Sequence, residues 1–185
     1  MSSLPRPAAL PLPVFPAVRH VRLSSAHALM LFGNRPLRAL YRLCNGLDAA
    51  DVVVTVSTGE GPRGSLELVR VLLPLVARSV VHLCAADVDR LGLPLLGTVI
   101  DRSPGCALSG PQGMVVLAEG VVAAERVVVP TSFSKTRVDV QLDGERPRFL
   151  RSLAVEEGSP ACVVIADASG ELRPGVLATI LDQRG

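Results

Sequence analysis

Aromatic side chains are scarce in this chain of 185 residues, which contains one Tyr, four Phe and no Trp. Proteins hold single-stranded nucleic acids largely by stacking bases on aromatic rings, so this scarcity argues against that class of binding. Lysine is rarer still, since Lys135 is the only one. The formal net charge of +2 is too small to favour nucleic-acid or membrane binding through bulk electrostatics.

Long apolar runs are also missing. No stretch approaches the roughly 18 consecutive apolar residues of a membrane-spanning helix, and the P-loop pattern G-x-x-x-x-G-K of ATPases does not occur. The composition, 49% hydrophobic and 19% charged, is typical of a folded, soluble globular protein. One domain is the default interpretation at this length, possibly with an appendage.

The start of the chain lacks acidic residues, because none precedes Asp48. Arginines and serine pairs are frequent there, a bias shared with organellar transit peptides. Transit peptides form amphipathic helices, however, and five prolines between Pro5 and Pro16 interrupt any such helix. The sequence therefore predicts a cytoplasmic protein, with a mitochondrial or other organelle matrix as the alternative.

Cysteine and histidine are few and dispersed. The cysteines are Cys44, Cys84, Cys106 and Cys162, and the histidines are His20, His27 and His82. The cysteines show no C-x-x-C spacing, so we predict reduced thiols in the core. The histidines lack carboxylates at ligand spacing, so no metal site is predicted.

The first forty-five residues predict a strand, a second strand and a helix. Residues 12–17 alternate apolar residues with prolines, which suits an edge strand because proline cannot donate to a ladder. A second strand is expected around Leu31 and Phe32. From Pro36 the apolar residues recur at spacings of three and four, which predicts a short amphipathic helix over residues 36–45.

The middle of the chain is rich in strand signals. Residues 52–57 form a β-branched run, which predicts a buried strand. The glycine spacing over residues 59–64 matches a dinucleotide-binding loop, but Pro62 and the lack of repeated βαβ units favour a plain turn. Residues 65–83 contain Pro74, so two strands and one kinked helix remain alternatives. Residues 80–84 then predict a strand, and residues 86–91 a helical turn or loop.

Short apolar segments bounded by Gly or Pro continue to the end of the chain. They predict strands at residues 96–101, 114–118, 123–129, 136–142, 149–155, 162–167 and 176–181, the last being a strand or a helical turn. Strands at intervals of about 8–12 residues indicate an antiparallel barrel or sandwich. The predicted fold is mainly β with one or two short helices, and the tail is expected to cover a barrel edge.

Five segments in succession carry a family resemblance. They are L-P-V-F-P at residues 12–16, L-F followed by Arg35 at residues 31–35, L-G-T-V-I at residues 96–100, G-M-V-V-L-A-E-G at residues 113–120 and R-V-D-V at residues 137–140. In order and spacing they resemble the Lon N-terminal, substrate-binding domain. The resemblance implies a PUA-like (pseudo)barrel over residues 11–145, preceded by an extension over residues 1–10 and followed by a β-rich extension over residues 146–185.

Because the ATPase and peptidase modules of Lon are missing, the resemblance implies a non-catalytic recognition module. Such a module binds a polypeptide segment or docks within a larger protein assembly. The alternative is an RNA- or ribonucleoprotein-associated PUA-like protein, since arginines in the first 42 residues are able to neutralise phosphates. The two differ in arginine placement: one contiguous basic face favours RNA, and a scattered set favours a protein partner.

Catalytic signatures are absent from the sequence. No G-x-S-x-G elbow occurs, and Glu156, Glu157, Asp87 and Asp89 are interpreted as solvated loop charges. Residues 97–101 resemble the G-V-I-D strand of dUTPases, but Pro104 stands where those enzymes place a stacking aromatic. We therefore predict no catalytic, cofactor-binding or metal-ligating residue, no cofactor, a protein or peptide partner, and no membrane association.

Overall fold

The computed structural model describes residues 11–43, 46–59, 64–94, 96–97, 99–129, 137–142, 148–154, 161–165 and 177–181. Over these residues the chain forms many strands and only two short helices, so the predicted mainly β fold is confirmed. Neither helix in this part of the chain has the length and apolar character that crossing a membrane requires.

The strands divide between a closed barrel and a large open sheet. In chain order the elements are β1 (Pro11–Pro16), β2 (His20–Arg22), α1 (Ser25–Phe32), β3 (Ala39–Arg42), β4 (Asp48–Ser57), β5 (Ser65–Leu73), β6 (Val80–Leu83), α2 (Ala85–Leu91), β7 (Cys106–Ser109), β8 (Met114–Leu117), β9 (Val121–Ala123), β10 (Arg126–Val129), β11 (Arg137–Leu142), β12 (Arg148–Ala154), β13 (Cys162–Ile165) and β14 (Leu177–Leu181). The barrel order is β1-β13-β10-β12-β11-β14, and the sheet order is β8-β7-β4-β5-β2-β6-β9 with β3 paired to β4.

The proline-rich opening strand β1 is one of the barrel strands, which confirms the strand predicted at residues 12–17. In β1, Leu12 and Val14 are buried whereas Pro11 and Pro13 are exposed, so the prolines occupy the outward positions. Strand β1 pairs parallel with β13 and antiparallel with β14. The predicted tail strands are thus confirmed as strands, and residues 177–181 are a strand. They form part of the barrel itself, whereas the sequence predicts an extension that covers a barrel edge. The proposed domain boundaries at residues 10 and 145 stay predictions.

The open sheet holds the larger core. Strand β4 alternates buried and half-buried residues, with Val52, Val54 and Val56 inside, and so confirms and extends the strand predicted at 52–57. Strand β5 ends at Leu73, directly before Pro74, so residues 65–83 contain two strands rather than a kinked helix. The strand predicted at residues 80–84 is β6, and residues 86–91 lie in helix α2.

Three local predictions are wrong. The first helix is α1, which contains Leu31 and Phe32, and the expected helix at 36–45 is replaced by the exposed edge strand β3. Backbone pairing with β4 outweighs the helical spacing there. In the predicted strand at 96–101, the described residues form a loop that packs on β9, where the Ala123 N–H donates to the Gly97 carbonyl at 2.7 Å. Of the glycine turn, residues 60–63 lie outside the described residues.

A serine cap fixes the start of α1, immediately after β2. The Ser24 Oγ accepts a hydrogen bond from the His27 N–H at 3.3 Å, and the Ser24 N–H donates to Ser79 Oγ at 2.8 Å. We expect Ser24→Ala to lower the free energy of unfolding by about 1 kcal/mol, since it removes the N-cap acceptor. The exposed Ser25 provides the control, because Ser25→Ala in urea denaturation should change stability by much less.

The chain crosses between barrel and sheet at two places. The first crossing joins β1 to β2, where the Ala17 N–H donates to the Ile165 carbonyl at 2.7 Å. The second joins β9 to β10, where the Ala124 N–H donates to the Leu83 carbonyl at 2.8 Å. We call the region around these two crossings, between β1 and β2 and between β9 and β10, the seam. Residues just after each crossing are therefore brought together although about a hundred positions separate them in sequence.

Candidate functional site

Four basic side chains are buried together at the seam. His20 and Arg22 come from β2, His82 from β6 and Arg126 from β10. Their exposed fractions are 3%, 2%, 3% and 2% in that order. Arginine is rarely buried to this extent in a protein interior. We call these four residues the basic cluster, and no other described part of the chain buries so many basic groups.

Strand geometry explains why the cluster shares one face of the sheet. Val21 lies in the apolar core, so its neighbours His20 and Arg22 point to the opposite face of β2. His82 is directly opposite His20 in the antiparallel β2–β6 pair, and so shares that face. The two imidazole rings are stacked, with centroids 4.4 Å apart and planes inclined by 19°.

Hydrogen bonds fix the tautomer of His20. Its Nδ1 lies 2.8 Å from the Val18 carbonyl oxygen. A carbonyl only accepts, so Nδ1 carries the hydrogen and donates it. In the neutral ring the other nitrogen, Nε2, is then a lone-pair acceptor.

His82 is held in its neutral form. Burial lowers its pKa well below the ordinary value, and the nearby charges of Arg126, His20 and Arg22 lower it further. A hydrogen bond with the backbone of Ala123 opposes the shift. The cluster thus combines permanent positive charge from arginine with at least one neutral imidazole at physiological pH.

The depressed pKa of His82 predicts loss of stability in mild acid. In the unfolded chain the histidine binds a proton near pH 6.5, whereas in the folded chain it stays neutral to a lower pH. The unfolded state therefore binds more protons below pH 6.5, and stability falls there by up to about 1.4 kcal/mol per pH unit. Urea denaturation between pH 7.5 and 5 should show a shallower fall for His82→Asn, and an unchanged slope would contradict this assignment.

Backbone carbonyls orient the two arginines. Arg22 Nη2 donates to the Pro74 carbonyl at 3.4 Å, and Arg126 Nη1 donates to the Ala124 carbonyl at 2.7 Å. Each bond fixes the orientation of its guanidinium through one of the five N–H donors of that group.

Three other arginines of the first 42 residues form ion pairs. The pairs are Arg19–Asp87 at 2.9 Å, Arg35–Asp51, and Arg42–Asp48 at 2.9 Å. Arg42 lowers the pKa of Asp48 through a side-chain hydrogen bond. The described arginines are therefore scattered, and Arg63 lies outside the described residues. Asp87 is 8% exposed and paired, so its interpretation as a solvated loop charge is wrong.

The thiols of Cys84 and Cys106 are candidate nucleophiles. Burial raises the pKa of Cys84 to about 11, and Asp87 and Glu125 add to the shift. Burial alone raises the pKa of Cys106 to about 12. Both thiols are free and stay protonated near neutral pH, so neither is an activated nucleophile. Among the described residues, no group of three or more His, Cys, Asp or Glu side chains is placed to hold a metal ion.

An open groove lies beside the second crossing. It has a volume of about 450 Å³ and is lined by Pro94, Gly97, Val99, Asp101, Arg102, Ser103 and Pro104. Ala123 links the groove wall to the basic cluster. Its N–H donates to the carbonyl of Gly97, and its backbone is also hydrogen-bonded to His82. The groove mixes apolar rings with charged and hydroxyl groups, as small-molecule sites commonly do.

Sequence reasoning missed the cluster. His20 and His82 are far apart in the sequence, and nothing near Arg126 in the sequence indicates that it is buried. Only the strand order brings these residues together. A usable clue is present in β2, where the basic residues His20 and Arg22 alternate with Val21.

Comparison with known proteins identifies the family. The model of the phosphate propanoyltransferase family matches residues 13–159. A phosphate propanoyltransferase of Citrobacter koseri is 35% identical over 193 aligned positions, which cover 94% of this chain and 90% of that protein. One from Citrobacter freundii is 29% identical with the same coverage. One from Rhodopseudomonas palustris is 37% identical over 69% of this chain and 61% of that protein.

These matches correct the expectations drawn from the Lon resemblance. That resemblance rested on apolar strands and glycine turns, which many β proteins share. In the structure its segments do not form one barrel, since Leu31 and Phe32 are helical and Gly97 lies in a loop. The interpretation as a non-catalytic module, and with it the RNA-associated alternative, is also wrong, because the relatives are named as acyltransferases. The chain belongs to the phosphate propanoyltransferase family.

Proposed function

We propose that this chain is an acyltransferase that exchanges a propanoyl group between an activated acyl donor and inorganic phosphate. The family match over residues 13–159 carries the proposal. The Citrobacter koseri relative supports it, since the similarity extends over 94% of this chain. A thioester is the donor class with the best chemical fit, because thioesters and acyl phosphates have similar acyl-transfer potential.

The reaction balances without any further reactant. An oxygen of monohydrogen phosphate attacks the carbonyl carbon of the thioester, and a carbon–oxygen bond forms. The carbon–sulfur bond breaks, and the sulfur leaves as a thiolate. The proton lost by phosphate neutralises the thiolate, so the products are propanoyl phosphate and a free thiol. The site must therefore attract an anion and stabilise negative charge on the carbonyl oxygen.

Two features of the seam support this chemistry. The buried guanidinium groups of Arg22 and Arg126 supply positive charge in a low-dielectric setting, where it acts strongly on phosphate. The adjoining groove is within the size range of small-molecule sites, and its apolar wall at Val99 and Pro104 suits a short acyl chain.

Trapping the acyl phosphate tests the proposal. The purified chain is incubated with propanoyl-CoA and phosphate, and hydroxylamine then converts propanoyl phosphate to a coloured hydroxamate. Hydroxylamine also reacts directly with the thioester, so the reaction without the chain gives the background. We expect hydroxamate above this background only when phosphate and folded chain are both present. Replacing phosphate by sulfate is the matched control, since sulfate gives no acyl phosphate. A hydroxamate yield that added phosphate does not raise would contradict the proposal.

Two further expectations remain proposals. A cytoplasmic location is supported by the free thiols of Cys84 and Cys106, which suit a reducing compartment. A protein or peptide partner is supported by the exposed apolar residues Met114 and Val116 on edge strand β8.

A further inference from the structure

The groove beside the second crossing is much larger than a propanoyl group. Its volume is about 450 Å³, of which a short acyl chain fills only a small part. Cavities of this size commonly hold a whole small molecule. The groove therefore has room for the carrier on the thioester sulfur as well as for the acyl chain.

Hydrogen bonds hold the turn that carries Arg102 in one conformation. The Ser103 N–H donates to the Ile100 carbonyl at 3.0 Å, which closes the turn. The Ser103 Oγ accepts a hydrogen bond from the Gly120 N–H at 2.8 Å. The backbone N–H of Arg102 donates to Glu119 Oε1 at 3.0 Å. The turn is thus tied to the segment between β8 and β9, and it presents Arg102 from a fixed backbone.

Arg102 adopts a strained backbone conformation at this place. Its φ angle is 64°, in the left-handed region that residues other than glycine rarely occupy. Residues held in such regions cost free energy and are concentrated at binding sites and active sites. A glycine would fit the same turn without strain, so the arginine points to a role for its side chain.

The charge of Arg102 is available to a ligand in the groove. The neighbouring carboxylates of Asp101 and Glu119 both contact Arg78, at 2.7 Å and 3.6 Å. Glu119 reaches Arg102 only through the backbone N–H. Within the part of the chain that the structure describes, the Arg102 guanidinium makes no ion pair and no hydrogen bond. Arg102 is therefore a free cation in the groove lining, beside carboxylates that another arginine neutralises.

We propose that Arg102 determines the donor specificity of the groove by binding a phosphate group on the carrier of the thioester. A pantetheine arm combines a thiol with an amide chain, and its phosphorylated forms add an anion that complements a guanidinium. The inference rests on the proposed function, which requires a thioester donor. It adds the residue that selects the donor and the chemical group that this residue recognises.

Calorimetric titration of the purified chain with phosphopantetheine and with pantetheine at pH 7.5 tests the groove without turnover. The two probes differ only in the phosphate group. We expect phosphopantetheine to bind roughly tenfold more tightly, the difference typical of a charge-assisted hydrogen bond. Because Arg102 is exposed, added salt should reduce this preference. Equal affinity for the two probes, or no measurable binding of either, would overturn the inference.

Arg102→Met removes the charge and keeps a long side chain. It should weaken phosphopantetheine binding by about tenfold and change pantetheine binding by less than about twofold, whereas Arg102→Lys should retain part of the preference. Arg42→Met is the matched control, because Arg42 is exposed and its partner Asp48 does not line the groove. A preference for phosphopantetheine that persists undiminished in Arg102→Met would remove Arg102 from the site.

The outcomes also separate this inference from the proposed function. A preference for phosphopantetheine that depends on Arg102, without formation of propanoyl phosphate, would retain the groove site and remove the activity. Formation of propanoyl phosphate with equal kcat/KM from the propanoyl thioesters of pantetheine and phosphopantetheine would retain the activity and remove the role of Arg102.

Discussion

Gly105→Ala is expected to destabilise the folded chain by about 3 kcal/mol or more. A Cβ at this position would stand 2.3 Å from the Leu117 carbonyl oxygen and 2.6 Å from the Ala118 carbonyl oxygen. Both are backbone atoms at the end of β8, which pairs with β7 through Cys106 and Leu117. Neither atom belongs to a flexible side chain, so the hairpin must open to admit the methyl group.

Gly59 provides the matched control for this substitution. A Cβ built there meets nothing within 4 Å, and Gly59 lies exposed at the end of β4. Urea denaturation of Gly105→Ala and Gly59→Ala should therefore give widely different midpoints, with Gly59→Ala close to the wild-type chain. Midpoints that agree would show that the close approach of β8 to Gly105 is not a feature of the folded protein.

Arg126→Met is expected to lower kcat/KM for phosphate by about a hundredfold or more, given the proposed activity. Arg126 is 2% exposed, so its charge acts across a low-dielectric seam rather than through water. Methionine has a similar length and flexibility but no charge and no N–H donor. The substitution should change kcat/KM for phosphate rather than the free energy of unfolding.

An exposed arginine whose partner does not line the groove provides the control. Arg42 contacts Asp48 at 2.9 Å, and the Arg42 side chain is 72% exposed. Arg42→Met should change kcat/KM by less than threefold, since exposed pairs contribute little. Similar losses for both variants would indicate a general charge effect and would remove Arg126 from the site.

Local patterns predicted the strands well where one face is buried. The proline alternation of β1 and the β-branched run of β4 depend on neighbouring residues only. The same reasoning failed at residues 36–45, since the pairing of β3 with β4 is a tertiary contact. It failed again at residue 97, where an apolar run serves as a loop that covers β9.

The candidate site was not predictable from the sequence alone. Its members come from β2, β6 and β10, and His20 is 62 positions from His82 and 106 from Arg126 by their numbers. Their proximity follows from the strand order and from the two crossings at the seam. The alternation of His20 and Arg22 with Val21 in β2 is the local signal, and such alternation is equally typical of an exposed edge strand.

The proposed activity depends most directly on whether phosphate is the acyl acceptor. Phosphorus NMR of the purified chain with propanoyl-CoA and phosphate measures this, together with the amount of thiol released. We predict that an acyl phosphate resonance grows as inorganic phosphate declines, with one thiol released for each acyl phosphate formed. Thiol release at the same rate with and without phosphate, and no acyl phosphate resonance, would contradict the account.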